Sequence, residues 1–204
     1  MTQTTRRFFL VMLVVLAGCS VNVTETGPTA TGTASSGVGA GDATTSPAFE
    51  PAERIPVRVT DVVDGDTVDV VLPDGSEETV RLLGVDTPEV HTETTPPEFE
   101  GVPDSEAGRA CLREAGQNAS EYLRGHLSGE DATLLVDPVS DRRGGYGRLL
   151  AYVSHDGRNL NYALVGSGHA RVYDSQFALR TAFYDAEVDA REAGRGVWRC
   201  RSPV

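Results

Sequence analysis

Alternating apolar and polar positions predict short strands in the first part of the folded region. Residues 55–63 are rich in β-branched side chains, and a second strand is predicted at residues 67–72, after the sequence Asp64-Gly65-Asp66. The turn sequence Pro73-Asp74-Gly75 then leads into a third strand at residues 79–85. Three strands separated by such turns predict an antiparallel meander.

A helical period follows a polar, proline-rich loop at residues 88–103. Asp104 is the candidate N-cap, and Gly129 follows the end of the pattern. Apolar residues recur every four positions between these limits and predict one buried helix face. They are Ala107, Cys111, Ala115, Ala119, Leu123 and Leu127.

Two further strands and two further helices complete the pattern. The strands are predicted at residues 132–136 and 148–154, and Asn159 is predicted to cap a short helix that ends at Val165. Ser175 is predicted to cap a last helix whose apolar residues are Phe177, Leu179, Phe183, Ala186, Val188 and Ala190. This order predicts an α+β domain over residues 53–200, a five-stranded OB-fold β-barrel with three helices.

The N-terminal segment is predicted to be an export signal. Arg6 and Arg7 precede an apolar run that is shorter than the roughly 20 residues needed to span a bilayer. A signal peptide of the twin-arginine type is therefore predicted at residues 1–18. Small residues directly before Cys19 favour cleavage at that point and lipid attachment to its sulfur, with an uncleaved signal anchor as the alternative.

Residues 19–52 are rich in Thr, Ser, Gly and Ala and are predicted to form a flexible tether. Together with the lipid at Cys19, this tether would hold the domain at the extracellular face of the cell membrane. The domain itself is expected to be monomeric.

The composition is acidic, with a net charge of −12, and all 18 basic residues are Arg. Nucleic-acid-binding proteins are usually basic, because contacts to phosphate dominate their affinity. Either the protein does not bind nucleic acid, or it works in concentrated salt, where the Debye length falls to about 3 Å at 1 M. The abundance of acidic residues and the absence of Lys favour the second alternative.

Cys111 and Cys200 are the two cysteines that remain beyond Cys19. Disulfides persist in exported proteins, so a bond between them is the simplest interpretation. Two buried free thiols are the alternative, because the sequence does not show whether the two residues meet in space.

Acidic residues at two strand ends can supply the oxygen ligands of a hard cation. Asp66 and Asp86 offer two carboxylates, and the Thr87 carbonyl offers a third oxygen. Calcium prefers such oxygens at about 2.3–2.6 Å. Each motif alone is more often an ordinary turn or strand exit, so the hypothesis depends on the barrel bringing them together.

Two arginines and a glutamate add the chemistry of phosphodiester hydrolysis. Arg81 and Arg148 can each form two parallel hydrogen bonds with a phosphate, which lysine cannot imitate. Glu89 can orient or deprotonate the attacking water. Cationic groups and a metal ion would stabilise the negative charge that develops on phosphorus.

The chain resembles the micrococcal-nuclease (thermonuclease) family over about residues 55–199. The resemblance rests on Asp64-Gly65-Asp66-Thr67-Val68, on Val80-Arg81-Leu82-Leu83-Gly84-Val85-Asp86-Thr87-Pro88-Glu89 and on Tyr146-Gly147-Arg148-Leu149-Leu150-Ala151-Tyr152. Supporting matches follow at residues 161–165, 168–172 and 194–198.

The resemblance implies an OB-fold nuclease that uses calcium to cut DNA and RNA, with products that carry 3′-phosphates. It implies that Asp66, Asp86 and the Thr87 carbonyl bind calcium. It further implies that Arg81 and Arg148 contact the phosphate and that Glu89 is the general base.

Some positions depart from the family pattern. Gly145 stands where the family often has a basic residue, so that Arg142 or Arg143 would have to substitute, or binding of a terminal phosphate would be weaker. Tyr146 can still contact a phosphate or base, and Tyr173 lies near a position where the family stacks a base. The 88–103 loop is unusually acidic, through Glu89, Glu93, Glu98 and Glu100.

Three functions remain after this comparison of patterns. An active nuclease is favoured because Asp66, Arg81, Asp86, Glu89 and Arg148 are all present. A non-catalytic nucleic-acid-binding module would be expected to lack several of them. A calcium-binding or adhesion module would fit the acidic charge but would not explain the paired arginines.

Overall fold

The computed structural model describes residues 46–92 and 95–202. Eight strands and three helices lie in this part of the chain. They are β1 (Glu53–Val62), β2 (Thr67–Val71), β3 (Glu77–Leu82), β4 (Val85–Asp86), α1 (Glu106–Leu127), β5 (Asp131–Val136), β6 (Leu149–His155), β7 (Arg158–Asn159), α2 (Leu160–Gly166), β8 (Arg171–Val172) and α3 (Arg180–Glu192).

Five of these strands form the closed barrel that the sequence predicted. They are hydrogen-bonded in the order β3-β2-β1-β5-β6, and a parallel pairing of β3 with β6 closes the sheet. The short strand β7 extends β6, while β4 and β8 form a separate two-stranded sheet. The predicted OB-fold barrel with three helices is thereby confirmed.

The alternation in β1 places Val57 and Val59 in the core, but the next buried residue is Val62 rather than Asp61. The register of β1 against β2 shifts between Val59 and Asp61. A β-bulge inserts one residue at such a point and restores the inward direction of the next side chain. Thr67 at the start of β2 then pairs with Arg81 of β3, which brings two site motifs side by side.

The predicted third strand, residues 79–85, is two strands in the structure. β3 ends at Leu82, and the chain turns at Gly84, which has φ of +76° and lies against the ring of Phe177. A side chain at position 84 would be strained in this conformation and would meet the ring. The apolar run through this turn hid the break from the sequence analysis. After the turn, Asp86 in β4 lies opposite Arg171 in β8.

The first helix begins one residue later than predicted. Ser105, not Asp104, is its N-cap, and the Ser105 hydroxyl accepts a hydrogen bond from the Gly108 amide at 3.1 Å. Asp104 pairs with Arg109 instead. Ala107 is exposed, and Gly108 and Leu112 are buried in this first part of the helix. A four-residue spacing exceeds the 3.6-residue turn, so the predicted stripe moves around the helix along its length.

The last helix also begins later than predicted. It starts at Arg180 rather than after Ser175, because the Ala178 amide donates to Asp137 in the loop after β5 at 2.8 Å. Val188 is exposed, and the neighbouring Glu187 is buried in its place. The cap predicted for α2 is present: the Asn159 side chain accepts from the Tyr162 amide at 3.1 Å.

A second, smaller core lies beside α1 and is closed by a disulfide between Cys111 and Cys200. It contains Phe99 and Val102 from the 88–103 loop and Trp198 from a 3-10 turn at Gly196–Cys200. This arrangement ties the end of the chain to α1 and covers the ring of Phe99, which is only 1% exposed.

Residues 46–52 lie on the barrel, although the sequence placed them in the tether. Phe49 packs edge-on against Tyr152 with 4.9 Å between ring centroids, and the Ser46 hydroxyl accepts from the Asn159 amide at 2.9 Å. The folded region therefore begins before residue 53. The predicted signal peptide, the lipid at Cys19 and most of the tether lie outside the described residues. Within the described ranges, no helix is both long and apolar enough to cross a bilayer.

Candidate active site

Asp66 is fixed at the mouth of the barrel by close packing around the Asp-Gly-Asp turn. A β-carbon at Gly65 would lie 2.7 Å from the Thr87 hydroxyl and 2.8 Å from the Ala119 β-carbon. Only glycine therefore allows this turn to approach both Thr87 and α1. The Asp64 carboxylate accepts from the Asp66 amide at 3.0 Å and stabilises the turn locally.

The Arg81 guanidinium bridges the two carboxylates that the sequence assigned to a cation. Its Nη1 pairs with Asp66 Oδ1, and its Nη2 donates to Asp86 Oδ1 at 2.9 Å. Asp66 is 5% exposed, and the Arg81 side chain is largely covered. The barrel thus brings the turn before β2 and the strands β3 and β4 together around one guanidinium.

Thr87 contacts the other oxygen of Asp66. Its amide and its hydroxyl both donate to Asp66 Oδ2, at 3.0 and 3.1 Å. The Thr67 hydroxyl donates to Asp66 Oδ1 at 3.1 Å. Buried carboxylates need such donors because an unsatisfied charge in the interior is costly. The Asp66 carboxylate is therefore held in one orientation from two sides.

The electrostatics of the site centre on Arg81. Burial lowers the pKa of this guanidinium from its ordinary value, and the Arg148 charge lowers it further, while Asp86 and Asp64 act in the opposite direction. Arginine nevertheless stays protonated in proteins. The site therefore holds a permanent cation between two carboxylates, and a second cation lies nearby.

Arg148 and two tyrosines share a cavity of about 320 Å³ with Arg81. Arg148 Nη1 lies 3.4 Å from the Thr67 hydroxyl, and its guanidinium lies 5.7 Å from the centre of the Tyr146 ring. Tyr146 is 91% exposed and Tyr173 is 51% exposed, both on the cavity lining. Two cations beside two accessible aromatic rings suit a ligand that has both phosphates and planar bases.

Arg142 and Arg143, the candidate substitutes for a basic residue at Gly145, both pair with carboxylates of the barrel. Arg143 forms two hydrogen bonds with Glu78, at 2.6 and 3.0 Å, and donates to the Gly147 carbonyl at 2.7 Å. Arg142 pairs with Glu53 at 2.6 Å. Both arginines hold the loop before Arg148 against the barrel, and their binding of a terminal phosphate stays a prediction.

Glu89 is exposed, and the residues directly before and after it pack against α1. A β-carbon at Gly116 of α1 would lie 2.4 Å from the Pro88 carbonyl oxygen and 3.1 Å from Val90 Cγ1. The missing side chain at Gly116 allows this close approach. The backbone at Glu89 is thereby fixed three residues beyond Asp86. His91, to which no role was assigned, contacts the Val63 carbonyl at 3.2 Å.

Three residues that contact this cluster had no role predicted from the sequence: Asp64, Thr67 and Arg171. Arg171 is the most notable because its Nη2 lies 2.6 Å from Asp86 Oδ2. In the sequence, the only indication of this contact is a charged residue within the 168–172 motif. Two-residue strands such as β4 and β8 are too short to produce a periodic pattern.

A family model matches the part of the chain that carries most of this cluster. The family model described as "Staphylococcal nuclease homologue" matches residues 79–200, which include Arg81, Asp86, Glu89 and Arg148. The chain belongs to the staphylococcal nuclease family. The prediction of an enzyme that hydrolyses phosphodiester bonds is thereby confirmed.

Relatives of this nuclease come from archaea and bacteria. The chain is 36% identical over 148 residues to an uncharacterized protein of Methanocaldococcus jannaschii, a match that covers 69% of this chain and 70% of that protein. It is 29% identical over 143 residues to a thermonuclease of Staphylococcus hyicus, with 69% and 74% covered. It is 31% identical over 145 residues to endonuclease YncB of Bacillus subtilis, with 70% and 61% covered.

Proposed function

We propose that this nuclease cuts DNA and RNA at internal phosphodiester bonds, that it requires calcium, and that it leaves 3′-phosphates. The observation that carries the proposal is the bridge from Arg81 to Asp66 and Asp86. Arg81 also lines a cavity with Arg148 and two accessible tyrosines. Two relatives that bear the names thermonuclease and endonuclease support it.

The donor set fits calcium. Within residues 46–92 and 95–202, no three His, Cys, Asp or Glu side chains are grouped as metal ligands, so a cation would depend on two carboxylates and further oxygens. Asp66, Asp86 and the Thr87 carbonyl are all oxygen donors, which hard cations prefer. The two carboxylates already accept one guanidinium between them. Bound there, calcium would supply positive charge next to the scissile phosphate.

Different residues of the chain would then bind the phosphate and accept the proton of the attacking water. Arg81 and Arg148 bind the phosphate oxygens and stabilise the charge that develops on phosphorus. Glu89 accepts the proton of the attacking water, whose oxygen forms the new bond to phosphorus. The bond from phosphorus to the 5′ oxygen breaks, and that oxygen leaves with the bonding electron pair and takes a proton from water. The 3′ oxygen keeps the phosphate.

The cavity favours bases next to the reacting phosphate without reading their identity. Tyr146 and Tyr173 offer exposed rings on its lining, and stacking on an aromatic ring tolerates every base. Arg142 and Arg143 are engaged with Glu53 and Glu78 and are not expected to select chain ends. Both features support internal cleavage of DNA and RNA.

The N-terminal sequence supports a location outside the cell. We infer that export through the signal peptide and lipid attachment at Cys19 hold this nuclease at the extracellular face of the cell membrane as a monomer. Cys19→Ser should release the protein from the membrane fraction and abolish incorporation of labelled fatty acid. Retention of label in this variant would contradict lipid attachment at this residue.

The decisive experiment measures cleavage of circular plasmid, linear single-stranded DNA and RNA by the purified full-length protein, with calcium or with a chelator. Glu89→Gln should reduce the rate at least about 100-fold, while calcium binding and thermal stability are preserved. Glu98→Gln, which removes an exposed carboxylate from the same loop, is the matched control and should cut normally. Binding of nucleic acid without cleavage in any condition would identify a binding module instead.

A further inference from the structure

The Asp86 carboxylate is divided between two guanidiniums. Oδ1 accepts from Arg81 Nη2 at 2.9 Å, and Oδ2 pairs with Arg171 Nη2 at 2.6 Å. The proposed reaction assigns Arg81 to the phosphate, but it gives Arg171 no part. Arg171 would keep its contact with Asp86 when Arg81 binds the substrate phosphate.

Arg171 is positioned through its side chain and through the backbone around it. It lies directly opposite Asp86 in the antiparallel pair of β4 and β8. Its guanidinium lies 5.5 Å from the centre of the Phe99 ring, which belongs to the second core beside the disulfide. The next residue, Val172, donates its amide to the buried Glu187 carboxylate of α3 at 2.8 Å. The Arg171 side chain is only 25% exposed.

We propose that Arg171 is a positioning residue for the nuclease reaction. It fixes Oδ2 of Asp86, so that Oδ1 stays directed toward Arg81 and the cation. An arginine suits this role because its planar group can stack on a ring and donate in a fixed direction at once. The inference deepens the proposed function and rests on its calcium requirement.

A residue that orients a metal ligand typically changes metal affinity or activity 10- to 100-fold when it is lost. Calcium titration by calorimetry, without nucleic acid, should therefore show on the order of tenfold weaker binding in Arg171→Gln. The kcat with saturating nucleic acid and calcium should fall by a similar factor. The KM for nucleic acid should change little, because the proposed role acts through Asp86 rather than on the substrate. Arg171→Lys should recover only part of the calcium affinity, since lysine keeps the charge but not the fixed plane.

Arg58→Gln is the matched control. Arg58 is paired across β1 and β5 with Asp131, its directly opposite residue, at 3.2 Å. Arg58 therefore repeats the cross-strand Arg–Asp pairing on an exposed face away from the site. Its replacement by Gln makes the same change in charge as Arg171→Gln. We expect its calcium affinity and its kcat to stay within twofold of the wild-type values.

If Arg171 were only a counter-ion of Asp86 and had no positioning role, the calcium affinity of Arg171→Gln would change in the opposite direction. Removal of a nearby positive charge would then strengthen calcium binding in Arg171→Gln, and Arg171→Lys would match the wild type. Unchanged or tighter calcium binding in Arg171→Gln would therefore overturn the inference.

A crystal structure of calcium-free Arg171→Gln separates this inference from the calcium proposal. The Asp86 carboxylate should rotate or adopt two orientations, and an unchanged orientation would overturn the positioning role. If the wild-type protein binds no calcium, the calcium requirement fails, but the crystal structure still decides whether Arg171 orients Asp86.

Discussion

Thr87 donates two hydrogen bonds to a single oxygen of Asp66, from its amide at 3.0 Å and from its hydroxyl at 3.1 Å. The two residues are 21 positions apart in the chain, and both are buried. The pair joins the Asp-Gly-Asp turn to the loop that carries Glu89. It therefore couples the geometry of the carboxylate to the position of Glu89, the proposed general base.

Thr87→Val should weaken this coupling without a change in volume. The hydroxyl donor is lost and the amide donor stays, so we expect the free energy of unfolding to fall by about 1–2 kcal/mol. Calcium affinity should also fall, because Asp66 loses one of the contacts that orient it. Thr79→Val is the control: the Thr79 hydroxyl donates to Asp69 at 2.6 Å outside the site. Equal calcium affinities in both variants would show that the Thr87 hydroxyl has no role in orienting Asp66.

The sequence predicted the barrel because each long strand carries its own pattern of buried residues. Val68 and Val70 in β2, for example, alternate with less buried neighbours, and a turn follows. The site residues were predictable because they stand at strand ends, where a barrel brings separate segments together. Asp66, Arg81 and Asp86 are brought into direct contact in this way.

The features that the sequence did not reveal depend on tertiary contacts. The β4–β8 pair is too short to have a period, so the Asp86–Arg171 contact was hidden. The start of α3 is displaced because Asp137, some 40 residues earlier, binds the Ala178 amide. Local propensity could not predict either contact, since each partner is distant in the chain.

Arg81→Lys should test the bridge between the two carboxylates and the contact with phosphate. A lysine ammonium cannot present two parallel donors, so we expect kcat to fall about 100-fold or more. Arg142→Lys alters an exposed pair with Glu53 in the loop before Arg148 and should leave kcat near normal. Steady-state cleavage of a short labelled oligonucleotide would measure both variants. A kcat of Arg81→Lys close to that of the wild type would refute the paired contact with phosphate.

Gly65→Ala should distort the site by overpacking. The new methyl group would lie 2.7 Å from the Thr87 hydroxyl and 2.8 Å from the Ala119 β-carbon. Such overpacking costs about 1–3 kcal/mol of stability, and displacement of Thr87 should also reduce activity. Gly125→Ala is the matched control in α1, because a β-carbon there meets nothing within 4 Å. It should stabilise the helix by about 0.5–1 kcal/mol. Urea denaturation of both variants would measure the difference, and equal stabilities would contradict the close packing at Gly65.

Stability should fall on mild acidification because two histidines resist protonation in the folded state. The rings of His126 and His169 both pack against the ring of Tyr122, with distances between ring centroids of 4.7 and 4.9 Å. Burial lowers the pKa of both, and Arg158 and Arg199 respectively add to the effect. The unfolded chain therefore takes up more protons than the folded one as pH falls below about 6.5.

The free energy of unfolding should therefore decrease from pH 7.5 to pH 5.5, with the decrease ending below the lowered folded-state pKa values. The double variant of His126→Gln and His169→Gln should lose less stability over the same interval. Urea denaturation in the presence of a chelator would measure this without interference from calcium. An identical pH dependence in the double variant would contradict the assignment to these two histidines.

High salt should preserve or increase the activity of this nuclease, even though salt weakens most protein–nucleic acid complexes. The net charge of −12 repels the phosphate backbone over a distance set by the Debye length, which falls from about 30 Å at 0.01 M to about 3 Å at 1 M. The proposed contacts of Arg81 and Arg148 with phosphate would act at shorter range, and the Arg81 side chain is largely covered, so they should be screened less than the overall repulsion. Cleavage rates should therefore hold or rise between 0.05 and 2 M NaCl at fixed calcium. Circular dichroism at each salt concentration provides the control for folding, and an inactive but folded protein at 2 M would exclude adaptation to concentrated salt.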